Sequence, residues 1–163
     1  MQQPKDRWTP NQAWEKMKHF CAYQERCQQE VYQKMRAAGL TAEEADTIIS
    51  RLIEENYLNE ERYARQFAGG HFRLKKWGKQ KIVYALKQKQ ISDYCIRKAM
   101  EEIGDDAYTQ ALHKLARAKW AAIRTGTPAQ RWAKTKLFLL QKGYQGNEVQ
   151  AVLQQLQRGD LEE

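Results

Sequence analysis

A pattern of apolar residues recurs three times along the chain, at intervals of 51 and 53 residues. With Leu40, Ile91 and Tyr144 in register, apolar residues coincide five residues before these positions and five, nine and twelve residues after them. The coinciding sets are Met35, Leu86 and Leu139; Ala45, Ile96 and Val149; Ile49, Met100 and Leu153; and Leu52, Ile103 and Leu156. Because spacings of three to five residues place side chains on one helix face, each copy is predicted to be a helix, a short turn and a second helix.

A longer helical stretch precedes each pair, at about 12–26, 59–74 and 107–124. The predicted unit therefore has three helices, and one such unit has little core of its own. Three units are expected to stack as an elongated all-α array of tandem repeats, each burying a face against its neighbour. The predicted limits are 11–56, 57–104 and 105–157, with flexible tails at 1–10 and 158–163. A single globular bundle of nine helices is the alternative.

Local signals agree with an almost wholly helical chain. No proline occurs between residues 11 and 127, and alternating β-branched runs are absent. Predicted helix starts are the Thr41/Glu44 capping box, Asn59, Ser92 or Asp93, and Thr127 before Pro128; predicted ends are Gly39, Gly104 and Gly143. Gly69 and Gly70 are unusual inside a helix and predict a kink or a close helix approach. Tyr63, Phe67 and Leu74 are predicted to share the apolar face of that helix.

Charge is segregated along the chain. The net charge is +8, and two stretches, 62–89 and 107–147, contain no Asp or Glu although the chain has 20. Such segments favour a polyanionic partner, which could be nucleic acid or an acidic protein surface; solvated helix faces are the alternative. The candidate binding residues are Arg62, Arg65, Arg73, Lys75, Lys76, Trp77, Lys79, Lys81, Lys119, Arg124, Arg131 and Lys134.

Aromatic residues lie within the basic segments, where they can stack on bases, anchor a protein interface or belong to the core. Trp120 and Tyr84 fall on apolar faces and are predicted to be core residues. Trp77 follows two lysines at a predicted turn, so it is more open to a role in binding.

No pattern of catalytic residues is recognisable, so the chain is expected to bind rather than catalyse, without a metal or cofactor. The cysteines are odd in number, lack a CxxC pair and are not grouped with histidines. They predict reduced thiols in the cytoplasm. No apolar stretch predicts a signal peptide or a membrane span, so a membrane partner is not expected.

The stretch from Tyr57 to Ser92 resembles the central signature of the RecX family, bacterial regulators of the RecA recombinase. The matching residues are Tyr57, Leu58, Asn59, Glu60, Arg62, Tyr63, Ala64 and Phe67, then Trp77, Gly78, Lys81, Ile82, Leu86, Lys89 and Ile91. The stretch 26–39 is similar to an earlier family motif, and FLLQKGY at 138–144 resembles the family's C-terminal ending. The resemblance extends over about 11–156.

The resemblance implies an elongated protein of three three-helix units that binds, as a monomer, in the groove of a RecA–single-stranded DNA filament. It also implies suppressed ATP hydrolysis, strand exchange and coprotease activity of RecA, with direct contact to single-stranded DNA left open. Two other functions compete with it. A DNA-binding repressor would explain the recurring helix–turn–helix pairs, but such readers normally use one recognition helix in a symmetric dimer. An enzyme acting on nucleic acid would need an acid–base or metal cluster that the sequence does not display.

Overall fold

The computed structural model describes residues 7–161, and within that range the chain forms nine α-helices and no strand. The helices are α1 (Pro10–Tyr23), α2 (Gln28–Ala37), α3 (Ala42–Glu54), α4 (Glu60–Lys75), α5 (Lys79–Gln88), α6 (Asp93–Met100), α7 (Asp105–Ala122), α8 (Pro128–Lys142) and α9 (Gly146–Arg158). They form three tandem units: unit one contains α1–α3, unit two contains α4–α6 and unit three contains α7–α9. The predicted all-α fold of tandem three-helix units is confirmed.

Side-chain caps set most helix starts where the sequence predicts them. Thr41 and Thr127 form capping boxes, Asn59 accepts from the Arg62 amide, and Ser92, not Asp93, caps α6. Gly39 and Gly143 follow helix ends as predicted, and both adopt the left-handed conformation, with φ values of +94° and +104°. Gly104 does not end α6: that helix stops at Met100, and Gly104 is the N-cap of α7.

The glycine pair lies inside a continuous helix. Gly69 is buried in α4 and Gly70 has open space around it, and the helix runs on to Lys75. The break comes at Lys76, which adopts the left-handed conformation with φ of +57°. The chain therefore turns at 76–78, between the two basic helices, and not at the glycines.

The repeated apolar positions form the cores of the units. Leu40, Ile91 and Tyr144 are buried, and so are the residues five before them, Met35, Leu86 and Leu139. Units two and three share one apolar cluster, which also includes Cys27 of unit one, whereas the other buried apolar residues of unit one form a second cluster. Unit three thus shares an extensive apolar core with unit two, whereas unit one contributes Cys27 to that core.

Polar side chains connect unit one to unit two. The Glu30 carboxylate accepts hydrogen bonds from the Tyr63 hydroxyl at 3.1 Å and from the Lys89 ammonium at 3.2 Å. Arg62 of α4 pairs with Glu25 in the α1–α2 connection. These contacts form a polar joint beside the buried Cys27, which is the residue of unit one that belongs to the apolar cluster of units two and three.

The closely packed helix pairs lie within units, such as α4 with α6 and α7 with α8. The accessible surface is 10586 Å². A compact monomer of 19.2 kDa would expose about 8,400 Å². The excess surface and the separate core of unit one agree with an elongated array and not with a single bundle of nine helices.

Two predicted core residues lie at the surface. Tyr84 is 66% exposed because it is two residues from both Ile82 and Leu86, the buried positions of α5, and therefore points away from them. Leu74 is 86% exposed because it lies in the last turn of α4, at the edge of an open cleft between units one and two. Among the described helices, none combines the length and apolar character that crossing a membrane requires.

The predicted tails are described only in part, because residues 1–6 and 162–163 lie outside the described range. Trp8 packs against the core of unit one, and its amide donates to the Ala38 carbonyl at 3.0 Å. Leu161 packs against the core of unit three. The described ends of the chain therefore contact the units next to them.

Candidate polyanion-binding surface

The turn between α4 and α5 docks onto the turn between α8 and α9, and this contact gathers lysines from two units. The Gly78 amide donates to the Lys142 carbonyl at 2.7 Å, and the Gln80 amide donates to the Gly143 carbonyl at 3.0 Å. A glycine is required at position 78, because a Cβ there would collide with the backbone of Gly143 and Tyr144. Long-range hydrogen bonds between two turns thus set the position of the basic residues around them.

Five lysines lie around this contact, and we call them the junction cluster: Lys75, Lys76, Lys79, Lys81 and Lys142. Two side chains of unit three bind the backbone of unit two here. The Lys142 ammonium donates to the Lys75 carbonyl at 3.1 Å, and the Tyr144 hydroxyl donates to the Lys76 carbonyl at 2.9 Å. Tyr144 is fully buried, so its ring has a fixed position and its hydrogen bond fixes the backbone at Lys76.

Trp77 lies within the junction cluster, half-buried beside other rings. Its ring centroid is 4.6 Å from that of His71 and 6.3 Å from that of Phe67. The ammonium groups of Lys81 and Lys75 lie 4.6 and 5.4 Å from the Trp77 centroid. Each such cation–π contact contributes about 0.5–1 kcal/mol at an exposed site. Trp77 therefore holds two cations in place while keeping part of its own ring accessible.

Phe138 links Lys119 of α7 to the junction cluster. The ammonium groups of Lys119 and Lys142 lie 5.1 and 5.9 Å from the Phe138 centroid. The structure therefore brings six predicted residues to one place: Lys75, Lys76, Trp77, Lys79, Lys81 and Lys119.

Carboxylates are scarce at the junction cluster. Within residues 7–161, its one ion pair joins the Lys79 ammonium to Asp105 at 3.9 Å, and the Asp105 side chain is 99% exposed. A pair with so exposed a carboxylate is weak and easily exchanged for another anion. The ammonium groups are consequently available to an external polyanion.

The start of α4 differs, because acidic side chains surround its arginines. Arg65 binds Glu61, Glu101 and Glu102 at 2.9–3.3 Å, and Arg62 binds Glu25. The hydrogen bonds that Arg65 donates to Glu102 and Glu101 raise the pKa of Arg65, and Arg65 in turn lowers the pKa of Glu101. The paired carboxylates at 101–102 thus neutralise a predicted binding residue. Binding roles for Arg62 and Arg65 stay predictions.

Arg73 is exposed and lies beside Gly69, in an open cleft that it shares with Arg62, Arg65 and several carboxylates. Its surroundings are therefore more acidic than those of the junction cluster, although it is only two residues from Lys75. Its binding role also stays a prediction.

The remaining predicted residues lie in unit three, away from the α4–α5 turn. The Arg131 guanidinium lies 4.2 Å from the Trp120 ring centroid, and its Nε donates to the Trp120 carbonyl at 2.9 Å. Trp120 packs against the core as predicted. Arg124 lines a neighbouring cleft with Arg131, and Lys134 is exposed on α8. Arg124 and Arg131 thus form a second basic region at the end of α7.

Five residues described at the junction were missing from the predicted binding set: Lys142, His71, Phe67, Phe138 and Tyr144. Lys142 had a signal, because it belongs to the FLLQKGY motif that resembles the family's C-terminal ending. His71 stacks on Phe67 with centroids 3.9 Å apart. Spacing alone did not predict that this stack would meet Trp77, since the chain reverses between them at Lys76.

Comparison with known proteins identifies the three units. Family models for the first, second and third three-helix domains of RecX match residues 13–52, 59–100 and 106–153, in that order. Together these ranges cover most of the chain.

Several bacterial proteins called regulatory protein RecX are similar in sequence. The protein of Clostridium tetani is 30% identical over 135 residues, which are 82% of this chain and 62% of that protein. The protein of Vibrio campbellii is 29% identical over 126 residues, which are 77% of this chain and 79% of that protein. For a similar protein of Lactobacillus johnsonii, the match spans 34% of its length. Some of these relatives are therefore considerably longer than the matched region.

Two crystal structures share the fold. RecX from Lactobacillus salivarius superposes with a TM-score of 0.80 at 22% identity, covering 91% of this chain and 96% of that one. Another regulatory protein RecX gives a TM-score of 0.80 at 20% identity, covering 88% of this chain and 70% of that one. Because the three domain models match in order over most of the sequence, this chain belongs to the RecX family.

Proposed function

We propose that this protein binds in the groove of a RecA–single-stranded DNA filament and lowers the filament's ATPase, strand-exchange and coprotease activities. Support comes from membership in the family and from relatives named regulatory protein. The observation that carries the proposal is the junction cluster, in which five lysines from two units surround one turn. Among the described residues, a single exposed carboxylate lies in ion-pair range of these lysines.

A filament groove containing nucleic acid is a polyanion, and lysines that neutralise phosphates release counterions and so favour binding at low salt. The cluster draws on two units whose backbones are hydrogen-bonded together, so its charges stay in a fixed arrangement during binding. Lys119 would extend this surface on α7, and Arg124, Arg131 and Lys134 would extend it across unit three. For Arg62 and Arg65, a filament contact would require the exchange of existing ion pairs, so smaller effects are expected there.

In this proposal the protein acts without catalysis or cofactor, as a monomer in the cytoplasm. It would serve recombination, DNA repair and the SOS response by limiting RecA. The three helical units would lie one after another along the groove; their predicted limits are 11–56, 57–104 and 105–157.

The first test is ATP hydrolysis by the RecA of the same organism on single-stranded DNA, titrated with this protein. We expect inhibition well below one protein per RecA. The variant Lys75→Glu/Lys81→Glu should require far more protein for the same inhibition. Lys87→Glu is the matched control, because Lys87 is an exposed lysine of the same basic segment, at the other end of α5 from the junction.

Equal inhibition by the charge-reversal variant and the control would refute the junction cluster as the contact. If RecA hydrolysis and RecA binding are both unaffected by the unaltered protein, the proposed function itself is wrong.

Direct action on nucleic acid is the second candidate, and the position of Trp77 between two cations favours it. Such an arrangement suits bases stacked along a single strand. Binding to oligonucleotides in the absence of RecA, with the same loss in Lys75→Glu/Lys81→Glu, would support this candidate. Sequence-specific binding to duplex DNA would instead indicate a repressor.

A further inference from the structure

Unit one carries an aromatic and basic cleft outside both acid-free segments. We call it the unit-one cleft, and it has a volume of about 700 Å³ between α1, α2 and the chain before α1. Its lining includes Trp8, Lys16, Phe20, Tyr23, Arg26 and Lys34. None of these residues belongs to the candidate set from the sequence or to the junction cluster.

Cations and rings alternate in this cleft. The Arg26 guanidinium lies 3.7 Å from the Phe20 centroid and 6.0 Å from that of Tyr23. The Lys34 ammonium lies 4.7 Å from Phe20, and that of Lys16 lies 5.4 Å from Trp8. The Arg26 Nε donates to the Phe20 carbonyl at 3.0 Å, which fixes the guanidinium against the ring. The cleft is therefore held in shape by its own contacts.

Tyr23 is the open element of the cleft. Its side chain is 84% exposed in the last turn of α1. An exposed ring beside a fixed guanidinium offers a flat surface for a nucleobase, with positive charge nearby for its phosphate.

Among residues 7–161, no acidic side chain lines the cleft. The nearby carboxylates of α1, α2 and the connection between them bind other partners: Glu15 pairs with Lys18, Glu25 with Arg62, and Glu30 with Lys89. Most acids of unit one lie instead on α3 or just beyond it. The unit is thus polarised, and its aromatic side attracts anions.

We propose that the unit-one cleft binds single-stranded nucleic acid, with a base stacked on Tyr23 and phosphates contacted by Lys16, Arg26 and Lys34. Charge favours a polyanion over a neutral partner, and the exposed ring favours one whose bases are unpaired. The phosphates of duplex DNA could also contact these cations, but its paired bases could not stack on Tyr23. This site is independent of RecA and of the junction cluster.

The test measures binding of a labelled 16-nucleotide oligo(dT) and of a duplex of equal length to the full chain by fluorescence anisotropy, without RecA. Tyr23→Ala should weaken oligo(dT) binding about 5-fold or more, as expected for one lost base stack, and leave duplex binding unchanged. Tyr23→Phe, which keeps the ring, should bind as the unaltered protein does. Lys34→Gln should reduce the salt slope for oligo(dT) by about 0.7, which corresponds to one single-strand phosphate contact.

Tyr94→Ala is the matched control, because Tyr94 is 54% exposed and lies 5.7 Å from the Lys98 ammonium, on α6 and away from the cleft. If Tyr23→Ala weakens oligo(dT) no more than Tyr94→Ala does, the proposal is wrong. Equal losses for oligo(dT) and duplex would also overturn it, since stacking would then play no part. Inhibition of RecA by the Tyr23→Ala variant is measured separately. If the variant still inhibits RecA, the proposed function is supported whether or not the cleft binds oligo(dT).

Discussion

Replacement of Gly78 by alanine should separate units two and three. The added Cβ would collide with the carbonyl carbon and oxygen of Gly143 and with the amide nitrogen of Tyr144. These are backbone atoms of a turn anchored by the buried Tyr144 ring, so they cannot rotate away as a flexible side chain could. Relief requires the two turns to move apart.

The loss of stability can be worked out from the contacts that are strained or broken when the two turns move apart. Overpacking of a well-filled contact costs about 1–3 kcal/mol. Separation also strains or breaks the Gly78–Lys142 and Gln80–Gly143 backbone hydrogen bonds, each contributing about 1 kcal/mol. We therefore expect Gly78→Ala to lower the free energy of unfolding by about 3–5 kcal/mol, which is about 6–20 °C in Tm for a chain of this size.

Gly70→Ala is the matched control, since Gly70 lies inside α4 and a Cβ added there would meet nothing within 4 Å. It should raise the free energy of unfolding by about 0.5–1 kcal/mol, because alanine favours the helix over glycine. Thermal and urea unfolding followed by circular dichroism measure both variants. If Gly78→Ala proves as stable as the unaltered protein, the close contact between the two turns does not exist as described.

Three further predictions concern the polar joint, the thiols and acid. Glu30→Ala should lower the free energy of unfolding by about 1–3 kcal/mol, because the Tyr63 hydroxyl loses its acceptor in a partly buried site; the exposed Glu54→Ala should change it by less than about 0.5 kcal/mol. Burial raises the pKa of the thiols of Cys21, Cys27 and Cys95. All three should therefore react slowly with Ellman's reagent in the native protein and rapidly once the protein is unfolded in urea. Arg65 lowers the pKa of Glu101 below its usual 4.5, so this pair stabilises the fold above pH 4.5 and loses that effect as the pH falls further. Unfolding midpoints from pH 3 to 7 should accordingly show a weaker acid dependence in Arg65→Gln; an identical dependence in both proteins would contradict this assignment.

The Gly78 variant also connects stability to the proposed function. Docking of the α4–α5 and α8–α9 turns brings Lys142 to the four lysines of unit two, so Lys142 should move away from them when Gly78→Ala separates the turns. Inhibition of RecA should then decline even where unit cores stay folded. A variant that keeps full inhibition despite separated units would mean that the cluster acts as two independent basic regions.

Local rules predicted much of the fold. Helix periodicity determined the apolar faces, so the repeated positions such as Met35, Leu86 and Leu139 are fully buried. Capping chemistry acts within a few residues of a helix end and therefore predicted Thr41, Asn59 and Thr127 correctly. The prediction that Tyr84 is a core residue was wrong. It was based on the apolar residues next to Tyr84 in the sequence, but Tyr84 points to the side of α5 opposite the buried Ile82 and Leu86.

The sequence by itself determined the helical periodicity, four of the N-caps, the three units, the family and the segregation of charge, because each depends on neighbours along the chain or on a recurring motif. Only the tertiary structure decided which charges are free. It joined Lys142 to Lys75 across 67 residues and surrounded Arg65 with carboxylates from α4 and from the turn that follows α6. It also assembled the unit-one cleft from α1, α2 and the chain before them. The physical reason is that a helix face is set by periodicity, whereas the partner of each face is set by how the turns and units dock.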